Sequence, residues 1–468
     1  MSSEKKTNHD DSYSSKHALA FSSAQISDII AYQSFSFLIF TFYFTVVRVN
    51  VTLITIGFVI WSVWNAINDP LLGALSDRTH SKWGRRIPWI AASTIPLSVV
   101  MILLFTPPIV LGLTDQIVNF VYFLIIIIIF ELFYTMFSIN QTSLFPEVFI
   151  DIKDRAKANN IKQIFGIIGL IVAFVLPSLF IPDLTQQQYL NNYIIFGVVL
   201  CILILIGAII FLKWGAKERV EFKEDYKNAP QFFTSVKMCV KNECFRWTAL
   251  SLIMVWFVFG MLPTIIPLYG KFVLGIDNSI FISLMLALAF ISAAIFVNLW
   301  KTVVVRIGAR RTWMLSVLAW IACLIPLMFI SDMIWGFIIF FFMGLGFAGS
   351  LFLRDITWGD IIDEDEIKTG IRREAAYYGV NALFMRFSTI LIFLAINLVF
   401  TSTGWAVYAP DKVTPSVIFG LRLLMVVFPV IALSIALIGF YKFPLDGERL
   451  QEVKKAQKTL NEEKKSRI

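Results

Sequence analysis

WNAINDPLLGALSDRTHSKWGRRIPWI (Trp64–Ile90) closes one long apolar run and opens the next. The first run begins near residue 52 and the second continues to about 112. Between them lie Gly73, Asp77 and four basic residues, Arg78, Lys82, Arg85 and Arg86. Two apolar stretches of about 20 residues joined by a short basic loop form the pattern of two membrane-spanning helices. One carboxylate, Asp69, lies inside the first of them.

Working outward, apolar runs of spanning length fall near 24–47, 52–75, 88–112, 117–143, 160–182, 192–213, 246–270, 279–300, 312–331, 333–354, 376–401 and 413–441. Their length and continuous apolar character predict helices rather than barrel strands. The expected fold is an all-α membrane protein of twelve transmembrane helices. Composition agrees: 58% of the 468 residues are hydrophobic and only 15% charged, against about 25% charged in soluble domains. A mean hydropathy of +0.76 is more apolar surface than one soluble core can absorb, and a bilayer supplies the missing solvent.

The net charge of +8 does not predict nucleic-acid binding, because of where the charges fall. Of 40 Lys and Arg residues, 35 lie in the two tails and in the loops after spans 2, 4, 6, 8 and 10 with their flanks. The opposite loops hold Arg48, Lys271 and Lys412, while Arg386 and Arg422 lie within spans. By the positive-inside rule both termini are cytoplasmic, in a multi-pass protein of the cytoplasmic membrane. Residues 1–23 are largely polar and precede a full-length span, so no cleaved signal is expected. Cys201, Cys239, Cys244 and Cys323 lack zinc-ligand spacing and read as reduced and unpaired. No cofactor is expected.

The long basic segment 214–245 separates six spans from six, which predicts an N-terminal tail 1–23, halves at 24–213 and 246–441, and a C-terminal tail 442–468. A weak internal repeat supports this: GALSDRTHSKWGRR (Gly73–Arg86) follows span 2 and VNLWKTVVVRIGARR (Val297–Arg311) follows span 8. Two parallel six-helix halves around a midplane site are the pattern of the major facilitator fold.

The Trp64–Ile90 stretch closely resembles the helix II region of the glycoside–pentoside–hexuronide cation symporters, the melibiose permease-like branch of the major facilitator superfamily. DIIDEDEIKTGIRREAAYYG (Asp360–Gly379) is similar to that family's cytoplasmic segment before helix XI, and YKFPLDGERL (Tyr441–Leu450) fits its ending. Three motifs in order, over nearly the whole chain, make the resemblance specific. It implies a monomeric secondary transporter that moves a small solute, a sugar or glycoside, with a coupling ion by alternating access. The vertebrate lysophospholipid carriers belong to the same wider family.

An acid at membrane depth is costly and marks a functional partner, although Asp69 beside Pro70 also suits a structural helix contact. The resemblance implies that Asp69, Asn68 and Thr135 coordinate the coupling cation, and that Asn65 stands where the family has a second Asp. Sodium gains from two carboxylates, whereas a proton needs one, so the substitution favours H+ over Na+; no metal beyond a sodium ion is expected. Arg386 stands where the family has a Lys and is the implied partner of Asp69, the alternative being a side chain that snorkels to an interface. Arginine does not give up its proton, so proton coupling would rest on the carboxylate.

Asp28 aligns with the family's helix I acid that binds sugar hydroxyls, and also reads as a helix N-cap near the start of span 1. The resemblance places Ser138 and Thr142 where melibiose permease has a sugar-binding Asp and a Trp, and Gln163 where it has an Arg. With Asn140 and Gln141 these form a polar cluster without the galactoside pocket's charges. Glu131 reads either as an acid for substrate or proton work or as a helix–helix hydrogen bond. Loop charges Asp77, Arg78, Arg85, Arg86, Asp360, Asp363, Arg372 and Arg373 set topology and are candidates for a cytoplasmic gate whose ion pairs exchange between halves. DIIDEDE is predicted to lie in a loop, residues 1–20 to be disordered, and Gly447–Ile468 to be a charged, solvated helix.

Two rivals remain. One is a lysolipid or amphiphile carrier of the same fold. The other is an intramembrane enzyme, since NDPLLGALSD superficially resembles the Asp-rich motif of membrane prenyltransferases. Asp69 and Asp77 have no acid between them, and no second intramembrane cluster is present to hold magnesium, so no enzyme is expected.

Overall fold

The computed structural model describes residues 14–79, 81–149, 151–217, 232–370 and 373–466. Elements follow in the order α1 (Ser15–Thr41, continued by a π turn, Phe42–Val46), α2 (Val51–Asp77), α3 (Ile87–Leu103), α4 (Gln116–Val148), α5 (Ile152–Phe180) and α6 (Leu190–Ile210). A short α7 (Phe232–Lys241) leads to α8 (Glu243–Phe272), α9 (Ser279–Ile307), α10 (Ala309–Leu324), α11 (Met333–Thr369) and α12 (Glu374–Ser402). The chain ends with α13 (Pro415–Arg422), a π turn at Leu423–Val427, α14 (Phe428–Lys442) and α15 (Gly447–Ser466).

Eleven helical stretches among the described residues are long and apolar enough to cross a membrane, with α13, the π turn and α14 forming one of them. Helix α3 is the twelfth apolar helix and, at 17 residues, sits at the lower limit of about 17 for a crossing. Side chains satisfy the free amides that begin many of these helices: Asn50, Asp115, Asp151, Asn242, Asn278, Asp332 and Thr414 each accept from the first turn. Their outer surfaces are inverted relative to a soluble protein. On α2, Ile56, Ile60, Val63, Ile67, Leu71 and Leu75 form an exposed stripe, while Ser62, Asn65, Asn68 and Ser76 are buried. That polarity suits lipid outside and a polar interior.

The two sets of six helices repeat one packing scheme. Helix α1 packs on α5 and α6, α2 on α4, and α3 on α4 and α6; correspondingly α8 packs on α12 and α14, α9 on α11, and α10 on α11 and α14. Between the sets, α1 meets α8, while α2 meets α12 just as α9 meets α5. Small residues allow the closest approaches. A Cβ on Gly344 of α11 would stand 1.9 Å from Ser292 Oγ and 2.6 Å from the Ala293 nitrogen of α9.

Contacts between the sets concentrate toward the end where α1 finishes and α2 begins. There the Val51 amide donates to the Ala406 carbonyl (2.8 Å), Thr52 to Asn397 (2.9 Å) and Thr55 to the Phe393 carbonyl (3.1 Å). The Phe58 and Phe393 rings stack at 3.7 Å, and Phe44 packs on Phe400, Trp405 and Tyr408. On the other side of this end, Lys271 reaches Asp183 at 2.8 Å and the Ser279 amide donates to the Pro182 carbonyl at 2.9 Å. The molecule is therefore closed at this end.

Four local expectations change. DIIDEDE is helical, being the last turns of α11. Its Lys368 pairs with Glu364 one turn away (2.9 Å), and Gly370 ends the helix with φ of 72°. Helix α1 already begins at Ser15, so Asp28 lies in mid-helix and the capping reading of Asp28 is withdrawn. The C-terminal helix is docked rather than solvated: Arg449 donates to Glu364 (2.5 Å), Lys454 to Asp360 (2.5 Å) and Gln457 to Glu366 (2.8 Å), all on α11. Of the segment expected to be disordered, residues 1–13 lie outside the described residues and 15–20 are helical.

Candidate functional site

Asp69 lies two turns from the end of α2, and Pro70 beside it has no N–H to offer the Ala66 carbonyl. Arg386 of α12 donates to Asp69 Oδ2 at 2.7 Å. This ion pair joins the two six-helix sets at mid-span, and roughly a quarter of each side chain, 24% and 23%, remains accessible. The other Asp69 oxygen accepts from Thr135 at 3.1 Å. Thr135 also lies 3.3 Å from Glu131 Oε1, one turn earlier on α4. Asn68 donates to the Glu131 backbone carbonyl at 3.4 Å. Asn65 is fully buried one turn before Asp69, and neither its amide oxygen nor its nitrogen has a hydrogen-bond partner.

Of the other four residues expected at a coupling site, Thr135 and Arg386 bond Asp69 directly, Asn68 bonds the neighbouring Glu131 carbonyl, and Asn65 makes no bond within the group. Glu131, read above as an acid for substrate or proton work or as a helix–helix hydrogen bond, lies beside this cluster. Among the described residues no three His, Cys, Asp or Glu side chains converge as a metal site. A sodium ion here would rely on the Asn and Thr oxygens as well as on carboxylates.

Toward the charged end, Asp28 on α1 is buried, with Ser138 and Tyr134 of α4 and Lys162 of α5 as its polar neighbours. One carboxylate oxygen, Oδ1, has no partner. The Ser138 hydroxyl donates to Tyr134 at 3.4 Å, and Tyr134 stacks on Tyr32 of α1 with centroids 5.1 Å apart. Gln141 donates to Thr142 at 3.3 Å, leaving its own oxygen buried and unpartnered, and Asn140 is tied to the Met136 carbonyl. Thr142 and Gln163 are exposed, with no protein bond holding Gln163 to the Asp28 group. Sequence reasoning missed Lys162, Tyr32 and Tyr134. Lys162 was counted only among the topological charges, although it falls next to the position where the resemblance implied an Arg.

Ion pairs within each set hold several of the gate candidates. Arg85 and Arg86 contact Glu147 of α4 at 2.6 and 3.1 Å, and Arg86 also contacts Asp77 at 3.3 Å. Arg78 ends α2. In the second set Lys454 binds Asp360 and Asp363, and Arg373 lies 3.9 Å from Asp365. Arg372 lies outside the described residues.

Among solved structures, a D-xylose–proton symporter superposes with a TM-score of 0.67, covering 92% of this chain and 98% of its own, at 13% identity. Among sequences, the lactose permease of Leuconostoc lactis is 24% identical over 343 residues, 71% of this chain. The aligned part is 52% of that protein, so the chain spans about half its length. The human sodium-dependent lysophosphatidylcholine symporter 1 is 23% identical over 447 residues, 86% of this chain and 78% of that one. Transporters rather than enzymes make up this company, and the prenyltransferase alternative falls. With residues 20–447 matching its profile, the chain belongs to the MFS/sugar transport protein family.

Proposed function

We propose that this protein is a secondary transporter that carries a sugar or glycoside together with a proton by alternating access. Residues 24–213 and 246–441 act as the two moving halves, joined by 214–245, with both termini and the Glu147 end on the cytoplasmic face. The observation that carries the reading is the Asp69–Arg386 pair. It crosses from one half to the other at mid-span and is bordered by a second acid and a hydroxyl. A proton that neutralises Asp69 releases Arg386 and so changes what holds the halves together. With the Glu147 end on the cytoplasmic side, the contacts that close the opposite end correspond to an inward-facing arrangement. On alternation the charges at the Glu147 end, Asp77, Arg78, Arg85, Arg86, Asp360, Asp363, Arg372 and Arg373, exchange into pairs between halves. The transport unit is a monomer.

A second reading is favoured by one observation, the 86% coverage shared with a lysophosphatidylcholine symporter: the same machinery would carry an amphiphile with sodium. Proteoliposomes containing the purified protein separate the two. They are to be offered labelled mono- and disaccharides and lysophosphatidylcholine under a proton or a sodium gradient. Accumulation of a saccharide driven by the proton gradient is expected. Sodium-driven uptake of lysophosphatidylcholine, with no saccharide taken up, would establish the second reading.

Asp28 is the anchor for solute hydroxyls, because its buried Oδ1 has no partner in the protein and a carboxylate oxygen can accept two hydrogen bonds. Asp28→Ala is expected to weaken solute binding by about 1.5–3 kcal/mol, the usual worth of a charged hydrogen bond, while the response to the coupling ion persists. Equilibrium binding of the transported saccharide checks this. Unchanged affinity would remove Asp28 from the pocket.

A further inference from the structure

Thr135 lies within hydrogen-bond distance of two carboxylates, Asp69 Oδ1 at 3.1 Å and Glu131 Oε1 at 3.3 Å. Its hydroxyl has one hydrogen to give. If both acids were ionised, one of them would face only the lone pairs of Thr135. The count closes when one acid carries a proton, and Arg386, bonded to Asp69 at 2.7 Å, favours the charge there and the proton on Glu131: Glu131 donates to Thr135, and Thr135 donates to Asp69. The charges agree. Two carboxylates face one guanidinium, Arg386, and the remaining groups around Glu131 are neutral: Tyr32 of α1, Trp61 of α2 and Tyr134 of α4. One added positive charge makes the cluster neutral.

A structural role for the Glu131 side chain finds no support in its contacts. The side chain is 1% exposed and Oε2 has no partner. Its one bonding partner of good geometry, Thr135, is on the same helix. Trp61 faces it without a well-formed hydrogen bond.

We propose that Glu131 is the second acid of the coupling site, holding the proton in this inward-facing arrangement, and that Thr135 relays it to Asp69. This rests on the proton-symport reading above. In the relay, the Glu131 O–H bond breaks as its proton moves to Thr135 Oγ1, and the Thr135 hydrogen moves to Asp69 Oδ1. Glu131 is left as a carboxylate, Thr135 as a hydroxyl with its direction reversed, and Asp69 as a neutral acid. No net charge is created. The Asp69–Arg386 attraction is lost while the negative charge moves to α4, so the relay links proton position to the bond between halves. Asn65 leaves α2 one acid short, and Glu131 supplies the missing acid from α4.

Infrared difference spectra between acidic and alkaline buffers, recorded on reconstituted protein in potassium salts without sodium, test this. The unmodified protein should give a carboxylic-acid C=O band that titrates, disappears in Glu131→Gln and remains in Asp69→Asn at a lower pH, because Arg386 then faces Glu131 alone. Thr135→Val, which keeps both acids, should retain the band but lose proton-driven accumulation, its concentration ratio falling to about 1 as coupling is lost. If Glu131→Gln fails to elute as a folded protein, Thr135→Val carries the test through these two readouts. A titrating band that survives Glu131→Gln, or no titrating band in the unmodified protein, overturns the assignment. Full accumulation by Thr135→Val overturns the relay. The spectra need no solute, so failure of the symport reading would appear separately, as absence of saccharide uptake in unmodified protein.

Discussion

Asp69→Asn is expected to abolish accumulation of solute against its gradient while leaving measurable equilibrium exchange. Asparagine has nearly the same shape; its one oxygen can accept from Arg386 while its amide nitrogen donates to Thr135, so the helices need not move. It cannot take a proton, and it takes from Arg386 the carboxylate bonded to it at mid-span. Removing one partner of a fully buried pair costs about 3–5 kcal/mol. Here about a quarter of each side chain is accessible, and solvent screening reduces the cost toward the 1–3 kcal/mol of an unsatisfied polar group. That is tolerable for folding. For coupling the loss is complete, because a gradient biases two states only through groups that bind its ion differently in each. Arg386→Gln should fail in the same assay, since a proton on Asp69 then releases no partner in the other half. Counterflow set beside gradient-driven uptake in proteoliposomes separates exchange from coupling. Full accumulation by Asp69→Asn would contradict the mechanism.

The pair itself marks where sequence reading stops. Asp69 and Arg386 each stand out as charges inside apolar runs, and that much follows from hydropathy. They are 317 residues apart, and only the resemblance suggested that they meet. Glu131 and Thr135 are one turn apart on any helix, yet their meeting with Asp69 depends on how α2 packs on α4. Lys162 and the tyrosines near Asp28 were invisible for a different reason. A lysine at the end of a span is normally a topological charge, and a tyrosine in an apolar run is normally packing. The docked α15 was misread because a charged helix is usually solvated. The available signal was the matching set of acids on the last turns of α11, Asp360, Asp363, Glu364 and Glu366, but those residues had been assigned to a loop. The spans were legible because bilayer thickness sets their length independently of any partner.

Asp183→Lys is expected to shift the protein strongly toward the outward-open arrangement and to slow transport. Asp183, in the loop between α5 and α6, is 6% exposed and saturated with donors. It accepts from the Thr185 amide (2.9 Å) and hydroxyl (2.8 Å), from Gln186 (2.8 Å) and from Lys271 of α8 in the other half (2.8 Å). Burial alone would push its carboxyl up, but the Lys271 and Thr185 hydrogen bonds outweigh it and hold the carboxyl below its ordinary value. The stabilisation from this group is therefore fully present above the ordinary aspartate range, near 3.9, and is lost only as pH falls through the depressed value; the latch stays engaged across physiological pH. Lys271 also holds Asp277 at 2.7 Å, so it retains one partner if Asp183 is lost. Opening this end must separate Asp183 from Lys271, so the contact stabilises the inward-facing arrangement alone. Replacing the acid with a lysine removes an acceptor for four hydrogen bonds and sets two cations together. At about 3–5 kcal/mol for breaking a buried pair, the ratio of inward to outward forms should change by roughly 10²–10³, every 1.4 kcal/mol being tenfold. Alkylation of a cysteine placed at Ser62, buried one turn deeper on α2 than Phe58, reports the opening as a faster reaction with a membrane-impermeant reagent added from outside. Lys271→Asp combined with Asp183→Lys restores opposite charges and should recover part of the closure, although Thr185 and Gln186 remain without their acceptor. Unchanged labelling in Asp183→Lys would mean that the aromatic contacts of Phe44, Phe58 and Phe393 close this end without help from the ion pair.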